Sequence, residues 1–481
     1  MLNRIIRGVQ TLFSRDPDRL VKTPRILKEG EHAIDPELVP WQARKTCENL
    51  QRKGFKAYVV GGAVRDLLQG VKPKDFDVAT DATPEQVKRA QKRAFIIGRR
   101  FKLVHVVFGQ EIIECSTFRA LEGKGVRKDS DGRVISDNVF GEMWEDAARR
   151  DFTINAMYYD PVTHEVYDYH NGFEDIGKGV LRMIGEPEER YREDPVRMLR
   201  AVRISSKLDF EIDPPTARPI PKMAHLLKNV PSARLVDELL KLLTCGQAVR
   251  AIKRMRKLNL HLALLPILET ILREPEDEVF LMTAMQRTDE RIAIGKGISP
   301  TFLLGSLLWP QVYRRWRHKE EKQGMKHAEA LHFASLDVLT TMSSQLQIQR
   351  RYQEEMYDLW RLQLRFEKRT GKHPWTLVKN QRYRKGYDFM LLRSLVGQVD
   401  ADVVRWWEAF AEGSEEEREA LIAQAEKEAR ETGEKARRNR SRDDDDDEEQ
   451  AVKTEKKRSR RRRKPRRKRT DDARKQDGKR E

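Results

Sequence analysis

Short hydrophobic runs of strand length recur between residues 51 and 180. Four of these runs are bounded by glycine, proline or charged residues and predict strands: KAYVV (56–60), FDVAT (76–80), KLVHVVF (102–108) and EIIECSTF (111–118). The last two flank Gly109-Gln110, and glycine in the first central position suits a type II′ hairpin turn. This pattern favours a small mixed or antiparallel sheet over a long β-α-β array.

Two short helices are predicted in the same region, on one side of the sheet. The first is AVRDLLQG (63–70), which follows the pair Gly61-Gly62 and closes at Gly70. The second opens at Thr83-Pro84-Glu85-Gln86, where a capping box with proline in the first turn predicts a helix through about Arg93.

After about residue 180 the apolar positions follow a helical period instead. The clearest segments are DPVRMLRAVRISSKL (194–208), PSARLVDELLKLL (231–243), QAVRAIKRMRKLNLHLALL (247–265), TFLLGSLLWPQVYRRW (301–316) and MYDLWRLQLRFEKR (356–369). Residues 181 to about 430 are therefore predicted to be all-helical, in two units. The fold class is α+β: a small mixed or antiparallel sheet domain, an all-α region and a disordered basic tail.

We divide the chain into five segments on this basis. They are an N-terminal arm (1–50), a sheet-containing head (51–180), a helical neck (181–300), a helical body (301–430) and a charged tail (431–481).

The two ends of the chain carry distinct patterns. Residues 1–15 place their apolar side chains on one helical face, which fits a membrane-surface helix, a transit segment or a helix docked on the protein itself. Asp16 and Asp18 follow at once, and we favour the docked or frayed helix. The tail runs from DDDDDEE (443–449) into KKRSRRRRKPRRKR (456–469). Such blocks cannot bury a core, and we predict a disordered nucleic-acid-binding arm over a solubility tail or localisation signal.

The composition points to a polyanionic partner. The formal net charge is +18, from 95 Lys and Arg against 77 Asp and Glu. No apolar run approaches the ~20 residues that a transmembrane helix needs. The three cysteines, Cys47, Cys115 and Cys245, form no metal-ligand spacing and fit a reducing compartment. We therefore predict a cytoplasmic protein without a transmembrane segment.

The stretch KDFDVAT (74–80) carries the first candidate chemistry. In an extended strand Asp75 and Asp77 share one face, while Phe76 and Val78 share the other. Two like charges this close repel unless a cation lies between them. A lone pair of this kind is more often a solvated strand edge than a divalent-metal site. Magnesium, however, takes one or two carboxylates together with substrate phosphates.

The neighbouring residues favour the metal site. Gly61-Gly62 ahead of a helix offers backbone N–H groups to an anion, and Arg65 lies one turn into that helix. A glycine pair alone is weak evidence, because it also marks ordinary turns. A two-metal site needs a third carboxylate, for which Glu114 and Asp151 are candidates. Glu114 could equally be an edge-strand acid, and Asp151 a helix cap.

Three motifs together resemble the class II nucleotidyltransferases, the family of bacterial poly(A) polymerases and CCA-adding enzymes. They are VVGGAVRDLLQG with KDFDVAT, then RRDFTINAMYYD (149–160), then YREDPVRMLRAVR (191–203). The resemblance runs from about residue 50 to at least 270. IIGRRFKLVHVVFG (96–109) and the basic tail are similar to the poly(A) polymerase I branch; DLWRLQLR (358–365) and RWWEAF (405–410) agree with it less specifically.

The resemblance implies a role for each motif in nucleotide and metal binding. Gly61, Gly62 and Arg65 would hold the incoming triphosphate. Asp75 and Asp77 would bind two Mg²⁺ ions.

The remaining polar residues of the first two motifs complete that implied site. Glu114 would be a third metal-facing and catalytic acid, and Asp151 a further catalytic carboxylate. Arg150, with Asp151, would contact the nucleotide sugar and phosphates, and Asn155 would also bind the nucleotide.

In the third motif, Glu193, Asp194 and Arg197 would read the base edge. An aspartate supplies acceptors and an arginine supplies donors, which can match the pattern on adenine. Asp194 before Pro195 is also a good N-cap followed by proline at N1, and both roles are compatible.

The implied function is template-independent addition of AMP from ATP to RNA 3′ ends, in messenger RNA and other transcripts, with release of pyrophosphate. In the resembling family, tailing promotes RNA decay, so RNA-decay machinery is a candidate partner. Two alternatives stay open. One is a CCA-adding enzyme acting on transfer RNA, and the other is an RNA-binding protein with an inactive nucleotidyltransferase domain.

Overall fold

The computed structural model describes residues 21–98, 102–121, 127–128, 134–136, 139–264, 266–346 and 348–431. The amphipathic N-terminal segment and the acidic and basic tail lie outside these residues, so their predicted roles stay predictions.

An eight-stranded mixed sheet forms the N-terminal part, as the hydrophobic pattern predicts. The strands of the structure are β1 (Arg25–Leu27), β2 (Ala57–Val60), β3 (Asp77–Thr80), β4 (Ala94–Ile97), β5 (Leu103–Phe108), β6 (Glu111–Thr117), β7 (Arg127–Lys128), β8 (Val134–Ser136), β9 (Met157–Asp160), β10 (Glu165–Asp168), β11 (Val180–Leu181) and β12 (Glu211–Ile212). The order in the large sheet is β1-β10-β9-β2-β3-β6-β5-β4. Its neighbours are antiparallel except for the parallel pair β3 and β6, which sits near the centre.

Helices surround the sheet and make up the rest of the chain. The α-helices are Trp41–Gln51, Gly62–Leu68, Pro84–Ala90, Met143–Arg149, Gly172–Lys178, Pro187–Glu193, Val196–Leu208, Pro214–Ala217, Ile220–Met223, Ser232–Leu243, Ala248–Lys257, Leu260–Leu264, Ile267–Arg273, Pro275–Ala293, Pro300–Gln323, His327–Gln345, Arg350–Phe366, His373–Val378, Tyr383–Leu395 and Ala401–Glu412, followed by helical residues 415–431. Short 3₁₀ turns occupy Pro36–Leu38, Thr153–Asn155 and Ala224–Asn229.

The sheet is buried on both faces, because alternate side chains of its central strands enter different clusters. Val59, Val78 and Ile113 pack with residues of the helix Trp41–Gln51. Tyr58, Val60, Ala79 and Tyr158 pack with the helix Met143–Arg149 on the other side.

Local chemistry explains where the elements start and stop. Thr83 and Gln86 form the predicted capping box. Phe108 pairs with Glu111, so Gly109-Gln110 is the predicted two-residue loop, with Gly109 at φ +64°. Glycine is needed there because a side chain at positive φ is strained.

Three expectations about element boundaries are wrong. The helix opened by Thr83 ends at Ala90 and not near Arg93, because the chain turns extended at Gln91 and forms the unpredicted strand β4 against β5. Strands do not stop at residue 180, since β11 pairs with β12 in parallel. The segment 247–265 is not one helix, because Asn259 adopts φ +56° between two helices.

The chain divides into two compact units. One comprises residues up to 362 together with 388–398, and the other comprises 363–387 and the residues from 399 onward. The first contains the sheet and the candidate site. In the second, Trp407 and Phe410 are fully buried, and the Trp407 indole donates to the Phe366 carbonyl. The five-part division stays a prediction. None of the helices among the described residues is both long and apolar enough to cross a membrane.

Candidate active site

A tight turn at Gly61 joins strand β2 to the helix Gly62–Leu68. Gly61 has φ +76° and ψ −137°, a conformation that residues with a Cβ rarely adopt. A Cβ at Gly61 would lie 3.4 Å from an Arg150 guanidinium nitrogen, and one at Gly62 would lie 3.4 Å from an Arg65 nitrogen. The glycine pair thus lets two guanidinium groups approach the backbone closely.

The paired aspartates lie where β3 begins, with the alternation that the sequence predicts. Asp75 and Asp77 are exposed, whereas Phe76 and Val78 belong to the buried core. Glu114 of β6 is the register partner of Asp77 in the parallel ladder. Three carboxylates therefore lie together beside the start of the central strand β3. We call this group of Asp75, Asp77 and Glu114 the carboxylate edge.

The surroundings make the ionised form of Asp77 unfavourable. Part of the residue reaches solvent in a cavity, but protein encloses its other sides. This burial, together with Glu114 and Asp75 and against the opposing charge of Arg150, raises the pKa of Asp77 to about 6. A cation at this point would relieve the repulsion.

These carboxylates fit Mg²⁺ by their chemistry. The ion prefers carboxylate oxygen and keeps sites for water and substrate phosphates. Within the described ranges no group of three or more His, Cys, Asp or Glu side chains closes around a single point.

The facing wall is the helix Val196–Leu208, which we call the arginine helix. Its Arg197, Arg200, Arg203 and Lys207 are spaced three, three and four residues apart, so they lie along one face. Each side chain is paired with an acid, and the acids are Glu193, Asp151, Glu238 and Asp66 in that order.

Asp151 is part of this wall and not of the carboxylate edge. Its Oδ2 accepts from Arg200 Nε at 2.7 Å, and its Oδ1 accepts from the Asn155 amide and the Phe152 N–H. Burial alone would raise its pKa, but the charge and hydrogen bond of Arg200, with those of Asn155 and Phe152, lower it to about 2. Both carboxylate oxygens of Asp151 therefore already accept hydrogen bonds from within the protein.

A chain of polar contacts links the glycine turn to the arginine helix. Arg65 donates to the Asn155 side-chain oxygen at 2.7 Å, and the Asn155 amide donates to Asp151, which binds Arg200. At the other end, Asp66 accepts from both Arg65 and Lys207. Arg65 is therefore held in one orientation from two directions.

Arg150 is the second guanidinium beside the glycine turn. It donates to Asp146 Oδ2 at 3.1 Å, and its guanidinium carbon lies 5.2 Å from the centre of the Tyr158 ring. The Tyr158 hydroxyl donates to the same Asp146 oxygen at 2.7 Å. These contacts hold the guanidinium beside the glycine turn.

The three residues predicted to read the base, Glu193, Asp194 and Arg197, have different partners within the protein. Glu193 Oε2 accepts from Arg190 at 2.6 Å and from Arg197 at 2.9 Å, so it orients Arg197. Asp194 accepts from the Val196 N–H, as a cap would, and from Arg234 at 2.7 Å.

Two adjoining cavities collect the candidate residues. The first, of about 390 Å³, is lined by most of the predicted residues: Gly61, Gly62, Arg65, Asp77, Arg150, Asp151, Asn155, Asp194 and Arg197. The second, of about 1000 Å³, takes in Asp75 and Glu114 as well as Asp77. Glu193 lines neither cavity.

Arg200, Arg203 and Lys207 line both cavities and were not among the predicted site residues. Their regular spacing after Arg197 was the available signal, but the same spacing is ordinary on a solvated helix face.

Fold comparisons define the class of protein first. A solved structure described as a tRNA-processing enzyme (apo form 2) has a TM-score of 0.51 at 19% identity, over 78% of this chain and 98% of that chain. That likeness concerns the fold alone. The family model "Poly A polymerase head domain" matches residues 57–182, which include both glycines and the aspartate pair. The sheet region of this chain is therefore similar to the head domain of poly(A) polymerases, a class of nucleotidyltransferase.

Sequence comparisons then give the family. Models described as "Probable RNA and SrmB- binding site of polymerase A" and "Polymerase A arginine-rich C-terminus" match residues 209–272 and 323–444. Poly(A) polymerase I of Haemophilus influenzae is 40% identical over 412 residues, 84% of this chain and 91% of the relative. A CCA-adding enzyme of Staphylococcus aureus is 37% identical, over only 42% of this chain and 49% of its own length. The chain belongs to the poly(A) polymerase I family.

Proposed function

We propose that this protein adds AMP units from ATP to the 3′ ends of messenger RNA and other transcripts and releases pyrophosphate. The observation that carries the proposal is similarity to a poly(A) polymerase I over 84% of this chain and 91% of the relative. A CCA-adding relative matches less than half of either chain. The second alternative, an inactive domain, is disfavoured because Asp77 and Arg197 meet in one cavity with the glycine turn.

In this proposal the glycine turn with its two arginines binds the triphosphate, and the carboxylates bind the metal. The N–H groups at the glycine turn, with Arg65 and Arg150, would bind the triphosphate and orient its α-phosphate. Asp75 and Asp77, with Glu114, would hold Mg²⁺, which when bound lowers the pKa of the RNA 3′-hydroxyl and stabilises the leaving pyrophosphate. The protein itself mainly positions its substrates and stabilises charge.

The arginine helix would select the base. Asp194 supplies acceptors and Arg197 supplies donors, which is the complement that adenine's Watson–Crick edge requires. Arg197 is held by Glu193 and by the Arg190 carbonyl, so it meets the base in a fixed orientation. We place the reaction in the cytoplasm, where the three free cysteines stay reduced, and infer that tailing directs RNA to decay.

The deciding experiment offers a short RNA, Mg²⁺ and one nucleoside triphosphate at a time to the wild type and to Arg197→Ala. The wild type should extend the RNA with ATP and discriminate strongly against GTP, CTP and UTP, because each unpaired polar group costs roughly 1–3 kcal/mol. Arg197→Ala should lose discrimination more than it loses Mg²⁺-dependent extension with ATP.

Two results would contradict the proposal. Equal use of CTP and ATP by the wild type, on transfer RNA lacking its CCA end, would favour the CCA-adding enzyme. No incorporation of any nucleotide would favour an inactive domain. A slower variant that stays equally selective would limit Arg197 to a structural role.

A further inference from the structure

The second cavity continues from the first beyond the carboxylate edge. Gly62, Arg65 and Asp77 line both cavities, together with the cations of the arginine helix. Away from this shared wall, the second cavity extends to Val71, Lys72, Lys74 and Ile112, which do not line the first. Asp77 therefore lies at the junction of two spaces.

A nucleotidyl transfer needs two such spaces. The attacking and leaving oxygens of phosphoryl transfer lie roughly in line on opposite sides of the phosphorus. If the nucleotide occupies the first cavity, the attacking hydroxyl must arrive from beyond Asp77. We propose that the second cavity binds the 3′-terminal nucleotide of the RNA, with Lys72 and Lys74 on its phosphates and Val71 and Ile112 against its base or sugar. This inference rests on the proposed function.

The apolar part of the cavity is placed by strand geometry. In β6, Ile113 and Cys115 point into the core, so Ile112 shares the opposite face with Glu114. Ile112 is 49% exposed and Val71 is 53% exposed. Both line the cavity beside the carboxylates, where they offer apolar surface to a nucleotide.

The lysines supply charge that the protein does not use itself. Lys72 and Lys74 are exposed, and neither has an ion-pair partner in the part of the chain that the structure describes. Lys207 and Lys241 line the same cavity but are paired with Asp66 and Asp237. The two unpaired lysines are thus available to phosphates, whereas the paired cations of the same cavity already have acidic partners.

The same chemistry predicts that the second cavity accepts RNA 3′ ends of many sequences. Apolar surface contacts any base through its flat face, and lysines contact any phosphate, so neither depends on base sequence. An enzyme that extends many different 3′ ends requires this kind of recognition for its primer, while its nucleotide must be selected.

The test compares two cavity variants with two matched controls. Ile112→Ser should raise the KM for a short RNA by about fivefold, since about half of the side chain is left to bury. The double variant Lys72→Gln with Lys74→Gln should lower the slope of log KM against log salt by about 1.4, for two phosphate contacts to a single strand. The KM for ATP should stay within about twofold of the wild type in both.

The controls are Val162→Ser and Lys53→Gln. Val162 is 50% exposed, Lys53 is exposed, and neither lines a cavity of the site. Both should keep the wild-type KM for RNA. A second measurement uses RNA with 4-thiouridine at its 3′ end, which should crosslink under light to peptides containing residues 71–76 or Ile112.

The outcomes separate this inference from the proposed function. A wild type that adds AMP, with cavity variants that keep its KM for RNA and its salt slope, would overturn the inference alone. Crosslinking exclusively to other peptides would also overturn it. A wild type that adds no AMP to RNA would overturn the proposed function itself. Thermal unfolding of every variant identifies any variant that is misfolded. The crosslinking measurement uses the wild type, so its result does not depend on whether the variants fold.

Discussion

The two walls of the candidate site, the sheet wall with Asp75 and Asp77 and the helix wall formed by the arginine helix, treat charge in opposite ways. On the sheet wall, Asp75 and Asp77 have no ion-pair partner among the described residues, and the pKa of Asp77 is raised to about 6 by burial, Glu114 and Asp75. On the helix wall, every cation is paired, and Asp151 is so well matched by Arg200 that its pKa falls to about 2 despite burial. Asp77 and Asp151 line the same cavity.

We interpret the carboxylates without partners as residues available to substrates and the paired cations as residues that stabilise the structure. Unmatched carboxylates lower stability when they are ionised, and they persist at a site where a cation compensates for them. Matched cations cost less to bury and are held in fixed directions by their acids. The sheet wall thus has carboxylates without cationic partners, and the helix wall has cations held in fixed directions.

The largest expected effect concerns the unmatched wall. Asp77→Asn should lower nucleotide addition by at least about a thousandfold, because it removes a carboxylate that we propose to bind Mg²⁺. The same variant should be more stable than the wild type at pH 7. Because the folded pKa is raised, the folded state binds more protons than the unfolded state between about 3.8 and 6, so the wild type loses stability as pH rises through that window. Asparagine removes this loss.

Tailing assays and denaturant unfolding at pH 7 and at pH 4 check both parts. The stability gain should be smaller at pH 4, and the exposed-acid control Glu189→Gln should change neither quantity much. A less stable Asp77→Asn at pH 7 would show that the sheet wall is matched after all.

The next largest effect is expected when an ion pair of the arginine helix is removed. Arg200→Gln leaves Asp151 buried without its cation, and we expect a loss of about 2–4 kcal/mol in the free energy of unfolding at pH 7. Since the folded pKa of Asp151 is lowered to about 2, this pair contributes stability above pH 3.8 that is lost as pH falls towards 2. The difference in the free energy of unfolding between Arg200→Gln and the wild type should therefore become smaller as the pH falls from 3.8 towards 2.

A double variant tests the mechanism of that loss. Asp151→Asn combined with Arg200→Gln should recover part of the stability, because no unmatched charge stays buried. Additive losses in the double variant, measured by denaturant unfolding, would contradict a direct pairing.

The smallest effect concerns the exposed end of the same wall. Lys207 pairs with Asp66 at 3.1 Å, but its side chain is 41% exposed and Asp66 also accepts from Arg65. Lys207→Gln should cost less than about 1 kcal/mol, and the cost should shrink at high salt. Lys178→Gln, which loses the exposed pair with Glu174, is the matched control. A loss as large as that of Arg200→Gln would show that the two ends of the wall are equally buried.

Local patterns predicted much of the fold. The alternation through Phe76 and Val78 identified which side chains enter the core, and the capping box at Thr83 identified a helix start. The helix end and strand β4 were missed because Ala94–Ile97 is stabilised by pairing with β5, which no local period records.

The candidate site was predicted unevenly. The glycine pair and the aspartate pair carry their geometry within a few residues, so the motifs that contain them were recognisable from the sequence. Arg200 was missed because its significance lies in Asp151, which is 49 residues away. Glu193 belongs to a recognised motif, yet its carboxylate is engaged by Arg190 and Arg197.

The sequence by itself determined the elements with a short-range cause: strand faces, caps, the hairpin turn and the motif residues that mark the family. Only the tertiary structure decided which charges are matched and which are left for substrates. The reason is physical, since strand alternation and helix capping depend on neighbours within four residues. The shift in a pKa depends instead on burial and on charges such as Glu114 beside Asp77, which come together only when distant strands pair.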